Sequence, residues 1–240
     1  MENNKVAFIT GCKGELGTMI MKKLISKNYK VICHIRKKDK KFFNFTKKFK
    51  KNIIQIICFD LLNKDDLVKQ IEKLSKNINR IDLLIINAGS SYGGLFEMTK
   101  IEDIKKIYEV NFFSQILIIQ KLLKLLKKTK NSLIINISSI SSLIPLRGNI
   151  AYGGSKLLLN FFTKILSKEL KVYDIRVNAL APTVLKNKMG KKTDLQTSKF
   201  LLKKSLGKKP LNMKKVVDKI IFLLSDKAKT INGRVIKIDK

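Results

Sequence analysis

Apolar residues follow two alternating patterns along the chain, one continuous and one periodic. The continuous runs are short and rich in Ile, Leu and Val, which is typical of buried strands. Between them, apolar residues recur every three or four positions, as on one face of a helix. Such alternation predicts an α/β fold whose parallel sheet is covered by helices on both faces. The predicted strands are residues 6–9, 29–35, 53–59, 81–86, 132–137, 175–180 and 235–238.

The periodic segments predict the helices. One follows the first strand, and others cover residues 65–74, 101–126, 152–172 and 216–224. The segment 101–126 is one or two helices with Asn111 inside, where its side chain competes for backbone hydrogen bonds. Residues 36–51 are basic with four interleaved phenylalanines. They predict a helix whose rings face the sheet, with single-stranded nucleic acid binding as the alternative.

A glycine-rich turn joins the first strand to the first helix. It reads Thr10-Gly11-Cys12-Lys13-Gly14-Glu15-Leu16-Gly17. Glycines at this place let the backbone approach a pyrophosphate, whose charge then lies at the helix N-terminus. The turn predicts a dinucleotide site. The expected fold is therefore a Rossmann-type doubly wound parallel sheet of about seven strands. Because the sequence contains neither a repeat nor a linker, we predict one NAD(P)-binding domain over residues 1–240.

The end of the second strand indicates which dinucleotide binds. An acidic residue there would bind the ribose 2′-hydroxyl, whereas a basic one accepts a 2′-phosphate. Ile35 and Arg36 occupy this place, and the first acid is Asp39. The pattern favours NADP(H), with NAD(H) as the alternative, although a solvated basic face would look the same.

Length and composition narrow the class of protein. The chain has 240 residues, 45% of them hydrophobic, which is enough for one domain with a full core. The first apolar run, residues 6–9, is too short for a signal peptide or a membrane span, and longer apolar stretches are broken by Lys, Asn or Ser. We expect a soluble cytoplasmic protein that does not associate with membranes.

Cysteine and histidine argue against a metal centre. Cys12, Cys33 and Cys58 lack metal-like spacing, and His34 is the only histidine. A histidine-based metal site or a Ser-His-Asp triad is therefore nearly excluded. We predict that all four side chains pack at or near strand ends, in a reducing compartment.

The formal net charge of +33 is unusual. It could serve a polyanionic partner such as nucleic acid or an acidic membrane. However, the chain has 46 lysines against five arginines and is rich in Ile and Asn, which is the residue usage of A/T-rich codons. A nucleic-acid binder is expected to use arginine for phosphate and base contacts. Codon drift is the preferred explanation, and nucleic-acid binding is not expected.

Tyr152 and Lys156 are four residues apart, so in a helix they lie on one face. A positive charge beside a phenol favours the phenolate and lowers the phenol pKa. The pair can therefore make a proton donor or acceptor that works near neutral pH. Alone, in a chain so rich in lysine, it could equally be a tyrosine beside a solvated lysine.

The complete set of motifs resembles the short-chain dehydrogenase/reductase family, classical type. The resemblance covers essentially the whole chain in the usual order and spacing. The motifs are Thr10-Gly11-x-x-Gly14-x-x-Gly17, Asp60, Asn87-Ala88-Gly89, Asn111, Ser139, Tyr152-x-x-x-Lys156, Arg176-Val177-Asn178-Ala179-Leu180-Ala181-Pro182, Ile231-Asn232-Gly233 and Asp239.

The resemblance implies four catalytic residues. Tyr152 would be the acid/base that protonates the substrate carbonyl oxygen in reduction. Lys156 would lower the Tyr152 pKa and hold the nicotinamide ribose. Ser139 would hydrogen-bond the carbonyl oxygen, with Ser138 as the alternative, and Asn111 would support a water in a proton relay.

The resemblance also implies the cofactor contacts, and no metal. The turn glycines would line the pyrophosphate, Asp60 would contact the adenine, and Asn87 would stabilise the central sheet beside the cofactor. The predicted cofactor-binding residues are Thr10, Gly11, Gly14, Leu16, Gly17, Arg36, Asp60, Leu61, Asn87, Ala88, Gly89, Tyr152, Lys156, Pro182 and Val184.

Three departures from the family pattern are evident. The middle glycine is at position 14 and is followed by Glu15, a spacing similar to that of the extended branch; the carboxylate is expected to face solvent. Thr183 and Asn187 stand where glycine and threonine are usual, which puts contacts to the nicotinamide carboxamide in doubt. The chain ends at Asp239-Lys240 without the usual Gly-Gly.

The resemblance implies an NADP(H)-dependent oxidoreductase that interconverts a carbonyl and an alcohol. A catalytically silent NADP(H)-binding regulator is one alternative, but it would not need Tyr152 and Lys156. A polyanion-binding protein is the other. In similar proteins the helices here at 111–126 and 152–168 form a dimer face, so a homodimer or homotetramer is expected.

The substrate is indicated only by the segment that forms the substrate lid in this family, here about residues 183–210. A basic lid suits an acidic carrier protein or a phosphorylated or carboxylated substrate, and the commonest such role is reduction of 3-oxoacyl groups on acyl carrier protein. A sugar, polyol or other small-ketone dehydrogenase is the rival. The segment contains one acidic residue, Asp194. It contains nine lysines: Lys186, Lys188, Lys191, Lys192, Lys199, Lys203, Lys204, Lys208 and Lys209.

Overall fold

The computed structural model describes residues 5–185 and 210–239, which contain a seven-stranded parallel sheet. The sheet order is β3-β2-β1-β4-β5-β6-β7, and every neighbouring pair is parallel. The predicted Rossmann-type sheet is confirmed, with four strands shifted at one end by one or two residues. The strands are β1 (Val6–Ile9), β2 (Lys30–Ile35), β3 (Ile53–Cys58), β4 (Leu83–Ile86), β5 (Ser132–Ile137), β6 (Ile175–Pro182) and β7 (Val235–Ile238).

Helices cover both faces of this sheet. Two helices are shorter than predicted. The helix predicted within residues 36–51 covers only Lys40–Thr46, and the one predicted to reach residue 172 ends at Glu169, after which a 3-10 turn, Lys171–Tyr173, leads to Asp174 in a left-handed conformation. The segment 101–126 forms two helices separated by a π-helical turn, Glu109–Phe113. The helices are α1 (Glu15–Ile25), α2 (Lys40–Thr46), α3 (Lys64–Asn77), α4 (Ile101–Tyr108), α5 (Ser114–Leu126), α6 (Ile150–Glu169) and α7 (Met213–Leu223).

Two hydrophobic cores lie on opposite faces of the sheet. Alternate strand residues point to opposite faces, so Ile9 packs with α1, α2 and α7 while Phe8 packs with α3, α5 and α6. The phenylalanines of segment 36–51 face the first core as predicted: Phe42 is buried, and Phe43, Phe45 and Phe49 pack against it. Within the described residues, no helix is long and apolar enough to cross a membrane.

The cysteines and the histidine pack as predicted. Cys12 and Cys33 are buried, Cys58 is half-buried, and all three are free thiols. His34 is buried near the end of β2, where its ring stacks on Phe59 with the ring centroids 4.0 Å apart.

The motif that begins at Arg176, after the sixth helix, holds the last two strands of the sheet in place. Arg176 is buried on β6 and donates to the carbonyl oxygens of Ala228 (2.9 Å) and Leu223 (3.0 Å). A cation at these carbonyls complements the C-terminal end of α7. Asn232 accepts from the Val177 amide at 2.8 Å. These motif residues therefore hold β6, β7 and α7 together.

Candidate active site

The strand order reverses between β1 and β4, and in such sheets ligands bind in the crevice at the carboxyl ends of the strands. The turns that follow these two strands are hydrogen-bonded to each other. Thr10 Oγ1 accepts from the amides of Asn87 and Ala88, both at 2.8 Å. Asn87 Nδ2 donates to the carbonyl oxygens of Thr10 (2.9 Å) and Gly11 (3.3 Å). The predicted structural role of Asn87 matches these contacts.

The glycine turn leaves the N-terminus of α1 open to a ligand. Gly11 has a φ of +70°, which favours glycine. A Cβ on Gly17 would lie 2.3 Å from the Gly11 carbonyl oxygen, so only glycine allows this close packing. Gly14 is the N-cap of α1 and has no side chain to cover the helix end, and Glu15 is exposed as expected. A bare helix N-terminus behind close-packed backbone fits a dinucleotide pyrophosphate.

His34 links this turn to the next wall of the crevice. Its Nδ1 accepts from the Gly11 amide at 3.4 Å, and its Nε2 lies 3.0 Å from the Phe59 carbonyl oxygen. The ring is therefore a neutral imidazole with Nε2 protonated. Asp60, the predicted adenine contact, and Leu61, another predicted cofactor-binding residue, follow Phe59 in the chain.

Burial lowers the pKa of His34 from 6.5 to about 4, although the Phe59 carbonyl and Asp60 act in the opposite direction. The unfolded chain then binds a proton that the folded chain does not, so stability should fall as pH drops from about 6.5 to about 4. The loss should reach about 3 kcal/mol. Urea unfolding of the wild type and His34→Gln at several pH values measures it. The variant cannot titrate here, and parallel profiles for the two proteins would contradict the expectation.

Tyr152 and Lys156 lie on the first half of α6, as predicted, beside the Ser139 segment that follows β5. Lys156 is 4% exposed and donates to the Ile137 carbonyl oxygen at 2.8 Å. Tyr152 is half-buried, and its phenol is close enough to the Ser139 side chain for Ser139 to lower its pKa. Ser139 Oγ also accepts from the Ser141 amide at 3.1 Å.

Asn111 joins the group from the π-helical turn. Its side chain accepts from the Ser90 amide (2.8 Å) and donates to the Ser90 carbonyl (2.9 Å) and to Ser155 Oγ (3.0 Å). A Cβ on Gly89 would lie 3.1 Å from Asn111 Oδ1 and 3.5 Å from Lys156 Nζ. Gly89 therefore lies where Asn111 and Lys156 converge. Ser90 and Ser155 were not predicted, because sequence alone gives no sign that they hold Asn111.

The protonation states favour a neutral phenol. Burial raises the pKa of Tyr152 above its usual value of 10, and the hydrogen bond with Ser139 counteracts this. Burial lowers the pKa of Lys156 to about 8. The lowering of the Tyr152 pKa by Lys156 therefore stays a prediction.

The remaining predicted cofactor contacts are dispersed around the crevice. Arg36 is exposed at the end of β2, and Leu16 is buried in the first turn of α1. Pro182 ends β6, and Val184 is half-buried just beyond it. Most of the predicted lid, residues 186–209, lies outside the described residues.

Comparisons with known proteins agree with this geometry. A family model described as short chain dehydrogenase matches residues 5–198. The 3-oxoacyl-[acyl-carrier-protein] reductase FabG of Buchnera aphidicola subsp. Baizongia pistaciae is 32% identical over 237 residues, which cover 98% of this chain and 96% of that protein. An acetoacetyl-CoA reductase of Acinetobacter is 28% identical over 185 residues, covering 76% and 75%. The structure of the Pseudomonas aeruginosa RhlG/NADP active-site complex has a TM-score of 0.86 at 25% identity, covering 98% and 94%.

Proposed function

Because this chain belongs to the short-chain dehydrogenase family and is a nicotinamide-dependent oxidoreductase, we propose that it uses NADPH to reduce a 3-oxoacyl group carried on acyl carrier protein. The observation that carries the proposal is the convergence of Ser139, Tyr152 and Lys156 beside the glycine turn's crevice. These side chains can bind a carbonyl oxygen and supply its proton.

The proposed reaction follows from the protonation states. When bound, the nicotinamide supplies a hydride to the carbonyl carbon. Ser139 donates a hydrogen bond to the carbonyl oxygen, and Tyr152 transfers its proton to that oxygen as the alcohol forms. A raised pKa keeps Tyr152 neutral at pH 7, which is the form that gives up a proton. The Lys156 ammonium on the same helix face then stabilises the phenolate left behind.

NADPH is preferred in this proposal because a cation lies at the end of β2 and the nearest acid is already engaged. Arg36 is exposed, while Asp39 forms an ion pair with Lys13 and accepts from the Phe42 amide at 2.7 Å. These contacts lower the pKa of Asp39 and hold its carboxylate at the start of α2. Arg36, the first of three exposed cations after β2, is then proposed to face a 2′-phosphate.

Arg36→Ala should therefore weaken NADPH binding by about 10- to 100-fold, the effect of one charge-assisted hydrogen bond, and leave NADH binding nearly unchanged. Calorimetric titration of both cofactors measures the difference. Lys37→Ala is the matched control, since it removes a neighbouring exposed cation. Equal weakening of NADPH and NADH by Arg36→Ala would count against the 2′-phosphate contact.

The substrate assignment rests on the relatives and on charge. The similar proteins include a 3-oxoacyl-[acyl-carrier-protein] reductase and an acetoacetyl-CoA reductase, and the predicted lid has nine lysines and one acid. A substrate panel with NADPH consumption as readout tests it. Acetoacetyl groups on carrier protein and on coenzyme A should be reduced faster than ketoses, oxidised polyols or small ketones. Preference for a sugar or a small ketone would contradict the acyl assignment and support the alternative, a sugar, polyol or other small-ketone dehydrogenase.

Two alternatives of another class remain: a polyanion-binding protein, suggested by the charge of +33, and a catalytically silent NADP(H)-binding regulator. Retention on a nonspecific DNA column would have to persist at physiological salt to support polyanion binding, because purely electrostatic retention falls steeply with salt. NADPH binding without turnover of any panel substrate would support the regulator.

A homodimer or homotetramer is proposed from an apolar stripe on α6. Leu157, Phe161 and Ile165 are spaced by one turn and are 55%, 63% and 41% exposed. Light scattering should give a dimer or tetramer for the wild type and a smaller species for Phe161→Asp. Leu62→Asp, at an exposed loop position, should leave the mass unchanged. A monomeric wild type would contradict the proposal.

A further inference from the structure

A line of buried polar side chains connects α6 to the Ser139 segment, and the proposed reaction makes no direct use of it. Ser142 and Asn160 form a hydrogen-bonded pair, which we call the Ser142–Asn160 strut. Ser142 is 7% exposed and Asn160 is 4% exposed. Asn160 lies one helical turn beyond Lys156, so it shares the inner face of α6 with that residue.

The hydrogen bonds of the strut have a defined direction. Asn160 Nδ2 donates to Ser142 Oγ at 2.6 Å, and Ser142 Oγ donates to the Ser139 carbonyl oxygen at 2.5 Å. The Ser142 amide donates to the same carbonyl at 3.0 Å. Ser142 therefore holds the Ser139 peptide with two donors. The rotamer of Ser142 is fixed by Asn160 from the helix and by Ser138 Oγ, which lies 3.2 Å from Ser142 Oγ.

Holding this peptide determines where the Ser139 side chain lies. Ser139 has an extended backbone, with φ −158° and ψ 153°, and its Oγ accepts from the Ser141 amide. That bond uses one lone pair, and the hydroxyl proton, which interacts with Tyr152, would donate to the substrate oxygen on binding. A small rotation of the Ser139 peptide would move this hydroxyl relative to Tyr152, and misplacement of a reacting group by about 1 Å can reduce rate by about 100-fold.

A second buried pair gives the comparison that separates positioning from stability. Asn136 Nδ2 donates to Thr163 Oγ1 at 2.9 Å, and Thr163 Oγ1 donates to the Leu159 carbonyl oxygen at 2.8 Å. This pair also joins the β5 region to α6 through an asparagine and a hydroxyl, and both residues are fully buried. It makes no contact with Ser139.

We propose that Ser142 and Asn160 are positioning residues that set the Ser139 hydroxyl for proton transfer with Tyr152. The inference rests on the function proposed above, and it adds two residues that act through the Ser139 backbone without touching substrate.

The test compares Ser142→Ala with Thr163→Val, since each removes one buried hydroxyl that accepts from an asparagine and donates to a carbonyl. Ser142→Ala should lower kcat by about 10- to 100-fold and leave the KM for NADPH unchanged. Thr163→Val should lose a similar amount of stability in urea but keep its kcat. Asn160→Leu is the second variant. Because Asn160 acts through Ser142, the double variant Ser142→Ala/Asn160→Leu should have a kcat no lower than that of Ser142→Ala alone. Equal kcat for Ser142→Ala and Thr163→Val would overturn the proposal.

A spectroscopic readout keeps this test separate from the proposed function. The carbon-13 resonance of Tyr152 Cζ reports hydrogen bonding of the phenol in protein labelled at tyrosine. It should shift in Ser142→Ala and Asn160→Leu in the direction seen for Ser139→Ala, and stay in place in Thr163→Val. An unshifted resonance in both strut variants would overturn the positioning role. If the wild type turns over no substrate, the function proposal fails while this resonance still decides on the strut.

Discussion

Tyr152→Phe should reduce turnover by about 10²- to 10⁴-fold, the usual contribution of a positioned acid or base, while NADPH still binds. The phenol has a raised pKa and lies beside Ser139, so it suits the proposed role of a neutral proton donor next to the group proposed to hold the substrate oxygen. Phenylalanine keeps the ring and removes the hydroxyl group that would supply the proton. Steady-state kinetics with the best panel substrate, together with calorimetric NADPH titration, measures both effects.

Tyr108→Phe is the matched control for this loss. The Tyr108 ring packs against the same helix beside Gly154, and its hydroxyl lies 3.5 Å from the Ile150 carbonyl oxygen. Removing that hydroxyl should change turnover little. If Tyr152→Phe kept more than about a tenth of wild-type turnover, the loss would be smaller than the smallest usual contribution of an acid or base. Another proton donor would then have to be sought.

Gly17→Ala should lower the free energy of unfolding by about 1–3 kcal/mol, the cost of overpacking a close contact. The added Cβ would lie 2.3 Å from the Gly11 carbonyl oxygen and 3.0 Å from Asn87 Nδ2, so the backbone of the turn must move. Since the same turn is proposed to present the helix N-terminus to the pyrophosphate, NADPH affinity should fall by about 10- to 100-fold, in line with that energy. Urea unfolding and calorimetric titration measure the two quantities.

Gly14→Ala is the companion variant on the same turn. Gly14 has an extended backbone, with φ −64° and ψ 156°, which alanine also adopts, and the nearest atom to its added Cβ is 3.3 Å away. Its unfolding free energy should stay within about 0.5 kcal/mol of the wild type. Comparable destabilisation by the two variants would show that close packing does not explain the glycine at position 17.

The sheet could be predicted because its strands are continuous apolar runs in regular alternation with helices. The side of the sheet that each residue faces could not, since both faces are buried and Phe8 and Ile9 are equally apolar. Strand ends also differ from the prediction, as at β6, which continues to Pro182. The last strand residues pair with β7, and that pairing is a tertiary contact that local composition does not contain.

The proton-transfer residues could be predicted from their spacing and the family resemblance, but their supports could not. Asn111 was expected in a helix interior, whereas it lies in a π-helical turn held by Ser90 and Ser155. His34 was expected only to pack. Its bonds to Gly11 and Phe59 join residues more than twenty positions apart, which a pattern along the chain does not reveal.

The bonds between Thr10 and Asn87 have a consequence for how the protein is made. The glycine turn lies within the first 17 residues, but Asn87, which hydrogen-bonds to Thr10, lies 77 positions later. Strand β4, which pairs with β1, is similarly distant in sequence. Closing so long a loop costs conformational entropy before any contact is gained, which makes parallel sheets slow to fold. During synthesis on the ribosome, the nucleotide-binding turn therefore stays incomplete until residue 88 has left the exit tunnel.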